Sequence, residues 1–268
     1  MHTGASLAAT LMALLSFTFT ALLLAALEPV RANMPEARIE SPQAQSPAVD
    51  SGDSSQLSVE QRRVQGSTRP GDAPGDAAVL FDGGGTSAWH QEGMPITWRV
   101  EDDVLVVEGG DSIQTVERFG DCQIHLEWAT PAEVVGENQG RGIPGVILME
   151  RYEIQLLDSF ENRTHTEGQA AAVYGQLPPA ANVYQEPGAW QSCDIVFEAP
   201  RFDGEELTSP ARITVFHNGV LVHHAVRLLG ATENGNGATY AAHAPELPLV
   251  LQGHGDPTRF RNIWLRRL

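Results

Sequence analysis

From Val79 onward the chain consists of short runs in which apolar and polar residues alternate, separated by Gly, Pro, Asn and Asp. A period of two predicts β-strands, here at 97–100, 104–108, 122–128, 146–149, 152–157, 193–197, 213–216, 220–224, 247–251 and 260–265. The sharpest local signal is His217-Asn218-Gly219-Val220. Asn-Gly between apolar runs favours a type I′ hairpin turn, whose two central residues both need positive φ. No long segment after residue 77 has a helical period, and there is no internal repeat. Many short strands with turn signals predict an all-β sandwich or barrel.

The same alternation sorts each strand into faces. In 122–128, Cys122, Ile124, Leu126 and Trp128 share one face, and Gln123, His125 and Glu127 share the other. In 152–157, Tyr152, Ile154 and Leu156 lie opposite Glu153, Gln155 and Leu157. Two strands thus each carry a polar row with a glutamate. Such rows either face plain solvent or line a groove on a concave sheet.

Before residue 77 the pattern differs. A long apolar run from Ala5 to Leu27, followed by Val30-Arg31-Ala32, reads as an export signal at 1–32 with a small-residue cleavage site. The run is also long enough to be an uncleaved N-terminal anchor. Residues 33–76 are rich in Pro, Ser, Gln, Gly, Asp and Ala and read as a linker that cannot bury enough surface to order itself. The folded domain is expected at 77–268, exported to the periplasm or the extracellular space, with a membrane as partner only if the N-terminal segment stays attached.

Charge and composition narrow the chemistry. The formal net charge of −17 argues against nucleic-acid binding, which needs a basic surface, and suits neutral partners such as sugars. Every basic residue other than histidine is arginine, so a lysine Schiff base and a Walker A loop are both excluded. Two cysteines, Cys122 and Cys193, are too few for a four-ligand structural zinc site. They are either one cross-strand disulfide or two buried thiols. There is no His-Glu-x-x-His, Gly-x-Ser-x-Gly or dinucleotide fingerprint.

Several loops carry candidate polar groups: Gly140-Arg141-Gly142-Ile143-Pro144-Gly145, Tyr174-Gly175-Gln176-Leu177-Pro178-Pro179, Leu251-Gln252-Gly253-His254-Gly255 and Arg259-Phe260-Arg261-Asn262-Ile263. Taken in order with Leu80-Phe81-Asp82-Gly83, Trp89, Trp98, Leu126-Glu127-Trp128 and Tyr152-Glu153-Ile154-Gln155-Leu156-Leu157-Asp158, they give a pattern that resembles the 3-keto-disaccharide hydrolase family over essentially all of 79–268. The chain departs from the family's pattern at Ile143-Pro144, at Cys122 and Cys193, and at Gly253.

The resemblance implies a concanavalin A-like jelly-roll β-sandwich of two antiparallel sheets. It also implies action on glycosides whose C3 hydroxyl has been oxidised to a ketone, so the expected partner is carbohydrate, a 3-keto-glucoside or related oligosaccharide. A C3 ketone acidifies the C2–H, and a carboxylate can remove that proton so that the C1 substituent leaves by β-elimination. On this reading Glu153 or Glu127 is the base. Arg261 or Arg141 stabilises the enolate, with a divalent metal as an optional helper, and His254, Asp158 and Tyr174 supply an acid or substrate contacts. His125, Gln155, Gln252 and Asn262 complete the expected binding set. Were Glu127 and Glu153 on neighbouring strands, about 5 Å apart, they would also suit a two-carboxylate retaining glycosidase. The alternative from another class is a non-catalytic carbohydrate-binding module, which the loss of polar groups at Ile143-Pro144 favours.

Overall fold

The computed structural model describes residues 66, 69–142, 144–232 and 238–268. The signal or anchor at 1–32, most of the linker and Ile143 lie outside them. Among the described residues no helix is long and apolar enough to cross a membrane. The strands, in chain order, are β1 (Ala78–Phe81), β2 (Trp89–His90), β3 (Arg99–Glu101), β4 (Val104–Val106), β5 (Ile113–Phe119), β6 (Cys122–Ala129), β7 (Gly145–Leu148), β8 (Tyr152–Gln155), β9 (Gln191–Glu198), β10 (Arg201–Asp203), β11 (Glu206–Ser209), β12 (Arg212–His217), β13 (Val220–Arg227), β14 (Leu247–Leu251) and β15 (Arg259–Arg267).

They form the jelly-roll sandwich expected. The larger sheet runs β13-β12-β9-β6-β15-β4-β3, with β1 pairing the C-terminal half of β15. The smaller sheet runs β2-β5-β14-β7-β8, and β10–β11 is a separate hairpin. All neighbours within the two sheets are antiparallel.

The core lies where the apolar faces meet. The larger sheet contributes Ile124, Leu126 and Trp128 of β6, Ile195 and Phe197 of β9, and Phe260, Ile263 and Leu265 of β15. The smaller sheet answers with Ile113, Val146, Leu148, Tyr152, Ile154, Leu249 and Leu251. Burying each large side chain contributes roughly 1.5–3 kcal/mol. Two contacts tie the layers directly. Trp128 Nε1 donates to the Leu156 carbonyl at 3.0 Å, and the Tyr152 ring lies 5.7 Å from that of Phe197.

The Asn-Gly turn forms as the sequence requires, with Asn218 at φ 50° and Gly219 at φ 76°, closing β12 onto β13 through the His217/Val220 pair. The Asn218 side chain adds three bonds, accepting from Ser192 N and donating to Val183 O and Gln191 Oε1.

Strands β1, β2, β5, β10 and β11 go beyond the sequence-based prediction. In β5 the alternation is broken, because Val116, Glu117 and Arg118 are all exposed while Thr115 is fully buried. The Thr115 hydroxyl satisfies itself by donating to Glu117 O and accepting from Leu249 N, so a polar residue sits at a core position without penalty. The cysteines resolve as two buried free thiols. Both face the core from β6 and β9, but Cys122 is opposite Phe197 and Cys193 opposite Leu126, so they are out of register for a bridge. Desolvation first, then Asp121, pushes the Cys122 thiol up to about 12. The tail of the segment read as linker is packed against β15: Gly71 O accepts from Asn262 Nδ2 and Trp264 Nε1, and Asp76 pairs with Arg266 at 2.8 Å.

Trp128 both fills the core and joins the sheets. Trp128→Ala is expected to lower the unfolding free energy by about 3–5 kcal/mol, read from urea denaturation; a loss below 1 kcal/mol would mean that the inter-sheet contact is not formed.

Candidate functional site

A continuous row crosses the whole smaller sheet on the face turned away from the core. His90 of β2 is opposite Gln114 of β5, Gln114 opposite Val250 of β14, Val250 opposite Ile147 of β7, and Ile147 opposite Glu153 of β8. The next row is Gln252, Gly145 and Gln155, fixed by the Gly145/Gln155 pair and by Gln252 N donating to Gly145 O at 2.9 Å. Beyond β8 the segment around Val173 continues the sheet, with Val173 opposite Ile154, Gln155 N on Ala172 O and Tyr174 N on Glu153 O. That places Tyr174 on the same face as Glu153.

Glu153 is the chemically notable group of this face. It is only 8% exposed, and among the described residues no side chain donates a hydrogen bond to its carboxyl and no cation pairs with it. Its backbone is held instead, with N donating to Thr232 Oγ1 and O accepting from Tyr174 N. Burial without compensation disfavours the charged form and pushes the carboxyl up to about 7. Gly145 makes the room: a Cβ there would lie 2.8 Å from Glu153 Oε1 and 2.9 Å from Gln252 Oε1. Gln252 Oε1 and Gln155 Oε1 are themselves buried acceptors with no hydrogen-bond partner. Two unpaired acceptors on one face beside an unpaired carboxyl point to a ligand or water there.

The wall beside this row comes from loops. Gln155 Nε2 donates to Gln139 Oε1 at 3.1 Å, and Gln139 in turn donates to Thr164 Oγ1 and Gly168 O. The His165 ring lies 6.0 Å from Tyr174. Sequence reasoning did not find Gln139, His165, His90 or Gln114. The first two sit on loops without period, and the last two are on the strands that went unrecognised.

Past Gln155 the β7–β8 ladder runs on through Leu156 N to Pro144 O and Asp158 N to Gly142 O. At its end Arg141 Nε bonds Asp158 Oδ2 at 2.8 Å, and Asp158 is 2% exposed. The pair borders a cleft of about 180 Å³ with Thr130 and Asp256. Arg141 is thus already neutralised. His254 is exposed on the loop two residues past Gln252.

The other half of the expected site is elsewhere. Glu127 and His125 belong to β6 of the larger sheet, and their row faces away from the core on the opposite side of the sandwich from Glu153. The neighbouring-strand arrangement of Glu127 and Glu153 is therefore not met, and with it goes the two-carboxylate glycosidase geometry. Arg261 Nε donates to Glu127 Oε2 at 2.6 Å and its guanidinium lies 4.0 Å over the Trp190 ring. Asn262, at φ 48° in a register shift of β15, donates to Glu127 Oε1 and to Gly71 O. His125 stacks on Trp264 and bonds Asp194 Oδ1 at 2.7 Å. A Cβ on Gly71 would lie 3.1 Å from His125 Nε2. This cluster clamps the Gly71 segment and contributes nothing to the Glu153 side.

Among the described residues no three His, Cys, Asp or Glu side chains converge. Around Glu153 the described side chains offer the neutral carboxamide oxygens of Gln155 and Gln252, and a hard cation takes about six or more oxygen ligands.

The family model of the 3-keto-alpha-glucoside-1,2-lyase-like domain matches residues 76–266. A solved structure of a presumptive glycosyl hydrolase from Parabacteroides distasonis is 38% identical, with a TM-score of 0.73 over 77% of this chain and 92% of that one. Two further presumptive glycosyl hydrolases from the same organism share the fold at 19% and 21% identity. Their TM-scores are 0.53 and 0.54, over 77% and 72% of this chain and 100% and 99% of theirs. No curated protein matches in sequence.

The clamp has a pH signature. Burial alone would lower the His125 pKa, but the hydrogen bond to Asp194 and the Glu127 carboxylate 3.7 Å away outweigh that and push it up to about 9. A raised histidine stabilises the fold fully below its unfolded value of 6.5 and loses that contribution as pH rises to about 9. Urea denaturation between pH 6.5 and 9 is expected to show stability falling, with a flatter slope in Asp194→Asn; equal slopes would remove the charged His125 from the clamp.

Proposed function

The chain belongs to the 3-keto-alpha-glucoside-1,2-lyase-like domain family, and from that premise we propose that the outer face of the smaller sheet binds a 3-keto-glycoside whose C2 proton Glu153 removes. The observation that carries this reading is the Glu153 carboxyl itself, buried at the edge of a polar row with no partner among the described residues to hold it ionised or neutral. A base that titrates near neutrality is matched to proton abstraction at ordinary pH.

The proton passes from C2 to Glu153, and the C–H electron pair spreads over C2, C3 and the ketone oxygen as an enolate. When the ketone re-forms, the C1–O bond breaks and its electrons leave with the departing oxygen, which takes a proton from Glu153 or water. A C1–C2 double bond results, and addition of water across it gives net hydrolysis. Gln252 and Tyr174 flank the carboxyl and supply hydrogen-bonding groups for the sugar. Arg141 stands on the loop before β7, and its Asp158 partner blunts it as an enolate stabiliser.

The pairing of Arg141 with Asp158 supports a second reading, a carbohydrate-binding module that holds sugar without turnover. The two separate cleanly. The purified protein is incubated with a 3-keto glucoside and with its unoxidised parent, with and without chelator, and aglycone release is followed. Release from the keto substrate alone is expected, with kcat/KM falling below about pH 7 as Glu153 protonates. Glu153→Gln is expected to lose on the order of 10²–10⁴-fold while keeping its unfolding midpoint. Saturable binding with no release would leave the binding module, and an unimpaired Glu153→Gln would remove Glu153 as base. Loss of activity with chelator would add a metal.

A further inference from the structure

The row that ends at Glu153 does not stop at the middle of the sheet. It continues over Ile147 and Val250, both half-buried, to Gln114 and His90 at the far edge. With strands ~4.8 Å apart, Gln114 stands roughly 14 Å and His90 roughly 19 Å from Glu153 along the sheet. At that far end is a cleft of about 290 Å³, bordered by Gln91, Asp111, Ser112, Gln114 and Val250, at the small end of the size range for small-molecule sites.

Its groups are fixed in place. Gln91 Nε2 donates to Asp111 Oδ2 at 3.0 Å, and Gln91 Oε1 accepts from both the backbone and the hydroxyl of Thr97. Asp111 O accepts from Trp98 Nε1 at 3.1 Å. His90 Nδ1 accepts from Gly93 N at 3.0 Å, and His90 Nε2 lies 3.3 Å from Gln114 Nε2. The loop bearing Asp111 can approach the end of β14 only because residue 253 is glycine: a Cβ there would lie 2.3 Å from Asp111 O. Gly253 N points to Ser112 Oγ at 3.4 Å. Gly253 thus shapes the cleft.

We infer that this cleft is a second sugar subsite, and that the substrate is an oligosaccharide lying across the strands, with its keto unit at Glu153 and a neutral pyranose held by Gln114 and Asp111. The inference rests on the reading of Glu153 as the reaction centre. A pyranose unit advances a glycan by about one strand spacing, ~5 Å, so the row accommodates three to four units. The chemistry fits a neutral sugar: planar carboxamide and carboxylate groups meet vicinal hydroxyls, while Val250 and Ile147 offer apolar floor to the C–H faces between.

The test is a length series. Keto-terminated glycosides of one to four units are assayed for kcat/KM, and their unoxidised counterparts are titrated for binding. Each is done with the parent protein, Gln114→Ala and Asp111→Ala. The expected result is a gain of about tenfold in kcat/KM and in affinity between two and four units, the factor given by one well-made hydrogen bond. In both variants the ratio of long to short is expected to fall towards one. The ratio is insensitive to a general loss of folded protein, and Asp111, exposed on a loop, backs up Gln114 should the strand position prove fragile. Turnover of short keto substrates with no gain on lengthening overturns the subsite and leaves Glu153 standing. Length-dependent, Gln114-sensitive binding without turnover supports the subsite and removes the catalytic reading.

Discussion

Each core strand of the two main sheets commits one face to the shared apolar interior, and that commitment decides where every polar row must go. Once Ile124, Leu126 and Trp128 pack inward from β6, Glu127 and His125 have only the outer side of the larger sheet. Once Tyr152 and Ile154 pack inward from β8, Glu153 and Gln155 have only the outer side of the smaller one. The sandwich therefore separates two sets of charged groups that look alike, and it gives them opposite electrostatics.

On the larger sheet, charge meets charge. Glu127 is drawn down to about 2, first by the His125 imidazole 3.7 Å away, against the opposing effect of burial, and then by its hydrogen bonds from Asn262 and Arg261. Such a carboxylate is spent on holding its neighbours, and here it helps hold the Gly71 segment. On the smaller sheet, Glu153 meets carboxamides, a glycine and aliphatic floor, so burial alone governs it. The same residue type is a permanent anion in one setting and a titrating group near neutrality in the other. Proton transfer needs the second kind.

Much of this was legible in the chain. Period two gave the faces of β6 and β8 correctly, and Asn218-Gly219 announced its turn. What alternation cannot reveal is which sheet a strand joins, so two polar rows on different sides read as one groove. The strand β5 was hidden by Thr115, a polar residue made neutral to burial by two local hydrogen bonds, and with it went Gln114 and half of the row. Gln139 and His165 reach the site from loops, where position follows from tertiary packing and no period exists to read. The register shift at Asn262, which aims Arg261 and Asn262 at Glu127, is likewise a tertiary feature.

Glu153 is a buried carboxyl left without a partner among the described residues, and so free to trade protons near neutral pH. The most direct measurement is a carbon-13 NMR titration of the glutamate carboxyl signals, with Glu153 assigned by its disappearance in Glu153→Gln. The expected midpoint is about 7, well above the ordinary 4.5. A midpoint at or below 4.5 would mean that a compensating group reaches the carboxylate, and that the sheet carries a structural anion where a base is proposed.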